Sequence, residues 1–232
     1  MFKHLNISIY NQLRNMNKIV LVAGIAGSAI FGLTAFKTLP EKQGLPGETA
    51  TQVKAPVQDP IKWTVDKPHS FIKFSVSHMV VSEAEGTFKV FDGTVEHSKP
   101  DFSDAKINFS IDVNSINTEN ENRDKHLKGD DFFNAEKFPT MKFESSSLQP
   151  LGNNKYKLTG NLTIRDVTKP VSFDVTYGGT ITNKGKTKSG FKATTTINRL
   201  DYNLKWNSAT ETGEMVVGKD VEISVKLELN KA

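Results

Sequence analysis

From Lys62 onward, apolar and polar residues alternate with a period of two in one run after another, and few folds accept such a chain. Ile72, Phe74 and Val76 stand against Lys73, Ser75 and Ser77. Ile107, Phe109 and Ile111 stand against Lys106, Asn108 and Ser110, and Tyr156, Leu158, Leu162 and Ile164 against Lys157, Thr159, Asn161 and Thr163. Residues 171–177, 191–197 and 221–229 repeat the pattern. One side of each strand is wet and the other meets a common interior. Turn signals at 91–93, 151–154, 166–170 and 178–190 separate the runs. The result is about eight antiparallel strands, and a sheet that long with one apolar face must fold onto itself as a sandwich or a closed barrel. A barrel leaves no edges, and one of about eight strands has room inside for roughly one small ligand.

Residues 114–143 hold the only clear helical interruption. Thr118 and Glu121 are spaced as a capping box. Glu119 and Glu121 open the segment, Arg123, Lys125 and Lys128 close it, and Gly129 follows as a C-terminal residue able to take a positive φ. Leu127 is the lone apolar residue, so the expectation is a short surface helix capping one end of the β-structure. A second turn then drives Phe132, Phe133 and Phe138 inward before Pro139 returns the chain to a strand.

The inward residues bear on whether the interior is packed or hollow. Phenylalanine is abundant, 15 of 232 residues, and Phe74, Phe88, Phe109, Phe143, Phe173 and Phe191 fall on inward parity. Val76, Ile111 and Leu162 share those faces, as do Gly160, Ala193 and Thr195, which leave space. With Phe132 and Phe133 these large side chains form the candidate cavity wall, although a packed sandwich core would use the same residues. Two polar residues break the pattern: the parity of strand 72–76 continues to His78, and that of 191–197 to Arg199. At strand ends such side chains either form a polar mouth to an apolar cavity or simply reach water.

Several function classes are excluded or unsupported. Residues 61–232 carry 24 basic and 23 acidic residues, so no basic stripe offers itself to nucleic acid. There are no cysteines, hence no disulfide, thiolate nucleophile or Cys-bound metal. The five histidines lack zinc-site spacing, and no nucleophile elbow or phosphate loop is present. No catalytic set, metal or cofactor is expected.

The N-terminus points to export. Lys3, Arg14 and Lys18 precede the uncharged apolar run 19–36, the pattern of a signal peptide at the lower limit of a membrane span. Residues 33–35 make a weak cleavage site, so a signal peptide and a retained membrane anchor both fit, and Met16 is an alternative start. Residues 37–60, rich in proline and poor in large apolar side chains, read as a flexible linker. Residues 61–232 form the folded domain, expected in the periplasm.

Seven motifs, in order, resemble the YceI-like proteins, a bacterial lipocalin-shaped polyisoprenoid-binding family: W-T-V-D-K-P-H-S (63–70), G-T-F-K-V-F-D-G (86–93), I-D-V-N-S-I-N-T (111–118), R-D-K-H-L-K-G-D-D-F-F (123–133), F-P-T-M-K-F-E-S (138–145), G-N-L-T-I-R-D-V-T-K-P-V (160–171) and N-R-L-D-Y (198–202). The resemblance implies an all-β, elongated eight-stranded antiparallel barrel with a short capping helix, holding an isoprenoid or other long-chain lipid. Asp166 and Asn203 depart from positions where that pattern often has glycine, and both residue types tolerate positive φ. The expected function is an exported lipid-binding protein that stores or carries a quinone, a polyprenyl phosphate or a similar amphiphile. Arg199 is the expected head-group donor, with His78, Arg123 and His126 beside it, unless Arg199 pairs with Asp201 and only closes the barrel end. Two other classes remain: an enzyme acting on such a lipid, centred on His78 and Arg199, and a stress or structural protein with a packed barrel. A homodimer is left open.

Overall fold

The computed structural model describes residues 59–232; the expected export segment and nearly all of the expected linker lie outside the described residues. Eleven strands are present: β1 (Ile61–Val65), β2 (Phe71–His78), β3 (Ser82–Phe88), β4 (Phe91–His97), β5 (Lys106–Asp112), β6 (Ile116–Asn117), β7 (Thr140–Gly152), β8 (Lys155–Ile164), β9 (Val167–Asn183), β10 (Lys186–Asn198) and β11 (Val217–Lys231). Six of them are halves of three longer strands, since β1–β2, β3–β4 and β5–β6 each continue past a short break. Counted so, eight antiparallel strands follow one another around a closed barrel. It closes where β11 pairs β2 over 217–226 and β1 over 229–231.

The first break has a local cause. Pro68 lacks an N–H, and 67–69 turn as a short 3-10 helix. Ser70 fills the interrupted ladder: its hydroxyl accepts from Glu228 N at 3.0 Å and lies 3.3 Å from Glu228 O.

Three expected turns move. Residues 91–93 open β4, and the bend falls at 89–90 instead. The turn near 166 is confined to 165–166, so 167–170 already belong to β9. The glycines between 178 and 190 do not end a strand. They mark an irregularity where the register of β9 against β10 shifts beside Phe191, and Gly179 takes a φ of +109°. The β9–β10 turn comes later, at 184–185, and β9 runs 17 residues, about 55 Å at the rise of an extended strand. Such strands make the barrel elongated.

Helix α1 (Glu121–Lys128) is the short cap expected, with two corrections at its ends. Asn120, not Thr118, is the N-cap, accepting from Arg123 N at 3.0 Å. Thr118 is engaged elsewhere, giving both its N–H and its hydroxyl to Asp124. Gly129 keeps a φ of −71°, so no left-handed residue is needed there. The cap covers a gap in the barrel. β6 pairs only residues 87–88 of β3, leaving 82–86 without a ladder partner on that side. Thr118 packs there, so close that a Cβ on Gly86 would lie 2.8 Å from its methyl. Phe133 meets Phe88 edge-on with ring centroids 5.9 Å apart.

Candidate ligand cavity

The inward faces enclose a cavity of about 400 Å³, within the roughly 300–1,000 Å³ usual for small-molecule sites. All eleven residues expected on its wall are there: Phe74 and Val76 from β2, Phe88 from β3, Phe109 and Ile111 from β5, Phe132 and Phe133 from the segment after α1, Phe143 from β7, Leu162 from β8, Phe173 from β9 and Phe191 from β10. Two walls differ. Inward residues of β7–β9, such as Met141, Leu158 and Phe173, are buried, whereas Phe74, Phe109, Phe191, Ile223 and Val225 on β2, β5, β10 and β11 are half-buried. Since these point inward, the area they keep borders the lumen. The interior is hollow.

Glycines explain how so many phenylalanines leave space. Phe74 stands opposite Gly86 and Phe109 opposite Gly93. A Cβ on Gly93 would lie 2.7 Å from the Phe109 ring, and one on Gly86 would run into the Phe74 ring. Gly160 makes the same room for Phe143. Each ring lies against the backbone of the next strand instead of filling the axis.

One end is shut by side chains. Trp63 Nε1 donates to His97 Nε2 at 2.9 Å, and His97 Nδ1 lies 2.8 Å from Lys99 O. An indole N–H only donates, so Nε2 must accept and Nδ1 carries the proton, which makes His97 a neutral tautomer. Phe102, 5% exposed, packs on the His97 ring at 4.1 Å and meets Tyr177 and Phe191 at 5.5 and 5.4 Å. Beside this plug, Lys188 Nζ sits 2.5 Å from both Asp66 and Glu228. Asp66, His69 and Glu228 have metal-ligand chemistry, but the Lys188 ammonium already occupies the place a cation would take. Its hydrogen bond holds the Asp66 carboxyl below its ordinary value.

The other end is shut by loops. Arg199 is 3% exposed and has no acidic partner among the described residues. Its Nε donates to Gly218 O at 2.8 Å, Nη1 to Leu204 O and Trp206 O at 2.5 and 2.9 Å, and Nη2 to Val217 O at 2.9 Å. Four of its five N–H groups are thus committed to backbone, leaving one for a ligand. Arg199 is first a staple for residues 204–218, a correction to its reading as an open donor. The alternative pairing with Asp201 does not form either; Asp201 lies 3.6 Å from Lys169. Burial lowers the Arg199 pKa and pushes neighbouring Tyr202 up to about 12. Arg165 repeats the device: Nη1 meets Asp130 O, Phe132 O and Asn203 O at 2.7–3.1 Å.

The remaining polar candidates stand on the same rim. His78 is half-buried at the end of β2 and lines the cavity. Arg123 donates to Thr118 Oγ1 and O at 2.8 and 2.7 Å. His126 lies 3.0 Å from Asp131 and edge-on to Phe132 and Trp206. All four expected head-group residues therefore border one end of one cavity.

The YceI-like domain profile matches residues 63–229, which is the barrel from β1 almost to the end of β11. The chain belongs to the YceI-like family. A UPF0312 protein of Staphylococcus aureus (strain N315) is 39% identical over 170 residues, 72% of this chain and 96% of that protein. Among solved structures, BcnA of Burkholderia cenocepacia superposes with a TM-score of 0.61 at 27% identity, covering 71% of this chain and 98% of that one. A polyisoprenoid binding domain from Saccharophagus degradans implicated in plant cell wall breakdown shares the fold, with a TM-score of 0.53 at 16% identity over 73% and 98% of the two chains.

In this YceI-like barrel the sequence reading missed the shut end and part of the mouth. Parity extends 91–93–95 to His97, which could have flagged it. Phe102 sits in an aperiodic loop with a φ of +59°, and Trp206 follows β10 in a segment without any period; neither left a signal. The two departures from the family pattern turn out to touch. Asn203 takes a φ of +62° as expected, while Arg165, not Asp166, is left-handed at the other turn. Asn203 Nδ2 donates to Asp166 at 3.2 Å, and this bond is the main cause of the lowered Asp166 pKa.

Proposed function

We propose that this protein is an exported carrier or store for one long-chain amphiphile, a polyisoprenoid such as a quinone or a polyprenyl phosphate. The observation that carries the reading is the apolar lumen of about 400 Å³, kept open by phenylalanine rings lying over glycines. The Saccharophagus degradans domain of the same fold, described as polyisoprenoid-binding, supports the ligand class. The apolar chain fills the barrel, and the polar end lies at the loop-closed rim, where burying it unpaired would cost several kcal/mol. There His78, Arg123, His126 and the last Arg199 N–H are within its reach. The activity is binding rather than catalysis. The basic, then apolar N-terminal segment supports a periplasmic location, either free or tethered to the inner membrane.

Native mass spectrometry of the purified full chain, followed by lipid extraction, tests the ligand. One co-purifying isoprenoid per barrel is expected. A chemically altered lipid would favour the enzyme, and an empty barrel that takes up no added isoprenoid would end the reading. For location, a reporter fused after Ala232 should be active only when it works outside the cytoplasm.

A further inference from the structure

We infer that the loop joining β2 to β3, Met79-Val80-Val81, is a membrane-contacting tip that inserts into the bilayer beside the cavity mouth; the inference rests on the lipid-binding reading above. These three consecutive side chains are 48%, 64% and 87% exposed. Scattered apolar residues on a surface mean little, but a contiguous set at a protruding tip marks a contact. The sequence has not chosen this loop for ease of turning. Met79 and Val80 take φ values of +51° and +64°, a region where hairpins favour Asn or Gly and where a β-branched residue is an outlier. Bulk and apolarity are kept there against the backbone preference.

The location gives the loop its role. His78, directly before it, lines the cavity, and so do Val216 and Val217 across the ladder. Met79 N donates to Val216 O at 2.8 Å, and His78 pairs with Val217. A lipid passing this rim passes the tip. The chemistry fits hydrocarbon better than protein. No acid, lysine or arginine occurs from Phe74 to Ser82, so the tip itself carries no charge to orient a protein partner, and the first acid beyond it, Glu83, accepts from the Ser75 hydroxyl. Insertion of such a tip needs no directional bonds, and because no charge takes part it should be insensitive to salt. At the opposite end, the β9–β10 turn is polar, Asn183-Lys184-Gly185-Lys186, and has no such character.

The test uses the full chain, which has no native cysteine and so accepts one label. Val81→Cys and, as control, Lys184→Cys would each carry an environment-sensitive fluorophore and meet phosphatidylcholine vesicles containing a lipid-chain quencher. A blue shift with quenching at 81 and neither at 184, unchanged by salt, is expected. No response at 81, or equal response at both positions, overturns the inference. So does a blue shift at 81 before vesicles are added, which would mean that the N-terminal apolar segment or a second copy covers the tip. Val81→Ser should slow isoprenoid transfer between vesicles several-fold while bound lipid, read by native mass spectrometry, stays constant; an unchanged rate would overturn the role in transfer. A wild-type barrel without lipid, whose tip still inserts, would sink the carrier reading and leave the contact standing.

Discussion

The two ends of the barrel are closed by different physics. At one, closure is made by side chains on side chains: Phe102 against His97, Tyr177 and Phe191, Trp63 bonded to His97, and Lys188 between two carboxylates. At the other, the loop after α1 and the segment 203–218 are held down by arginine forks that grip main-chain carbonyls. A packed aromatic plug opens only by losing its core contacts. A loop held by a few charge-assisted bonds can lift as a unit and leave the strands behind it intact. For the lipid carrier proposed above, the difference favours a route through the loop-closed end.

Five experiments can break or sharpen this contrast. The largest effect is expected for Phe102→Ala, which should cost about 3–5 kcal/mol in chemical denaturation, the value for a buried phenylalanine, with ligand release at the loop end little changed. Next comes Arg199→Met. Four carbonyls lose a charged donor, so about 3 kcal/mol is expected, together with faster ligand release; Arg199→Lys should restore only part of this because a point charge cannot replace the fork. If Phe102→Ala speeds release more than Arg199→Met does, the assignment of the two ends is reversed.

Phe109→Ala should cost less than either, about 1–2 kcal/mol in the empty barrel, because a ring facing a lumen has fewer contacts to lose. A cost equal to that of Phe102→Ala would mean that the lumen is filled by packing. The smallest effects are titrations that separate the ends by pH. The folded Asp66 carboxyl lies below its ordinary 3.8, so its contribution is present above that value and is lost as acid protonates it. Lys188→Met should flatten this part of the acid unfolding profile. Tyr202, raised to about 12, works the other way: its contribution is intact below pH 10 and is lost as pH climbs toward 12. Tyr202→Phe should remove the highest phenol transition from an absorbance titration.

What the sequence revealed follows the same division. Strand parity put nine residues on the wall because in a strand each step of two residues returns to the same face, and the turn after the helix supplied Phe132 and Phe133. The capping helix was legible from its polar content and its charge order. Arg199 was visible as an inward residue, yet its partners were not, since backbone carbonyls 5 to 19 residues away leave no mark in side-chain identity. Phe102 was hidden for a related reason: in a loop, direction is set by φ and ψ, and no period announces it. The turn at 178–190 was misplaced because glycine serves bulges and turns alike.

The pairing of phenylalanines with glycines has a consequence for how this barrel can change. The bore is set by residues that never touch what passes through it. A methyl on the wall at Gly86 would first meet the Phe74 ring and the Thr118 methyl, so the ring would give way toward the axis and narrow the tube, although every lining side chain stayed the same. Relatives with identical linings and different glycines would then differ in calibre, and a family could adjust the girth of its cargo one methyl group at a time.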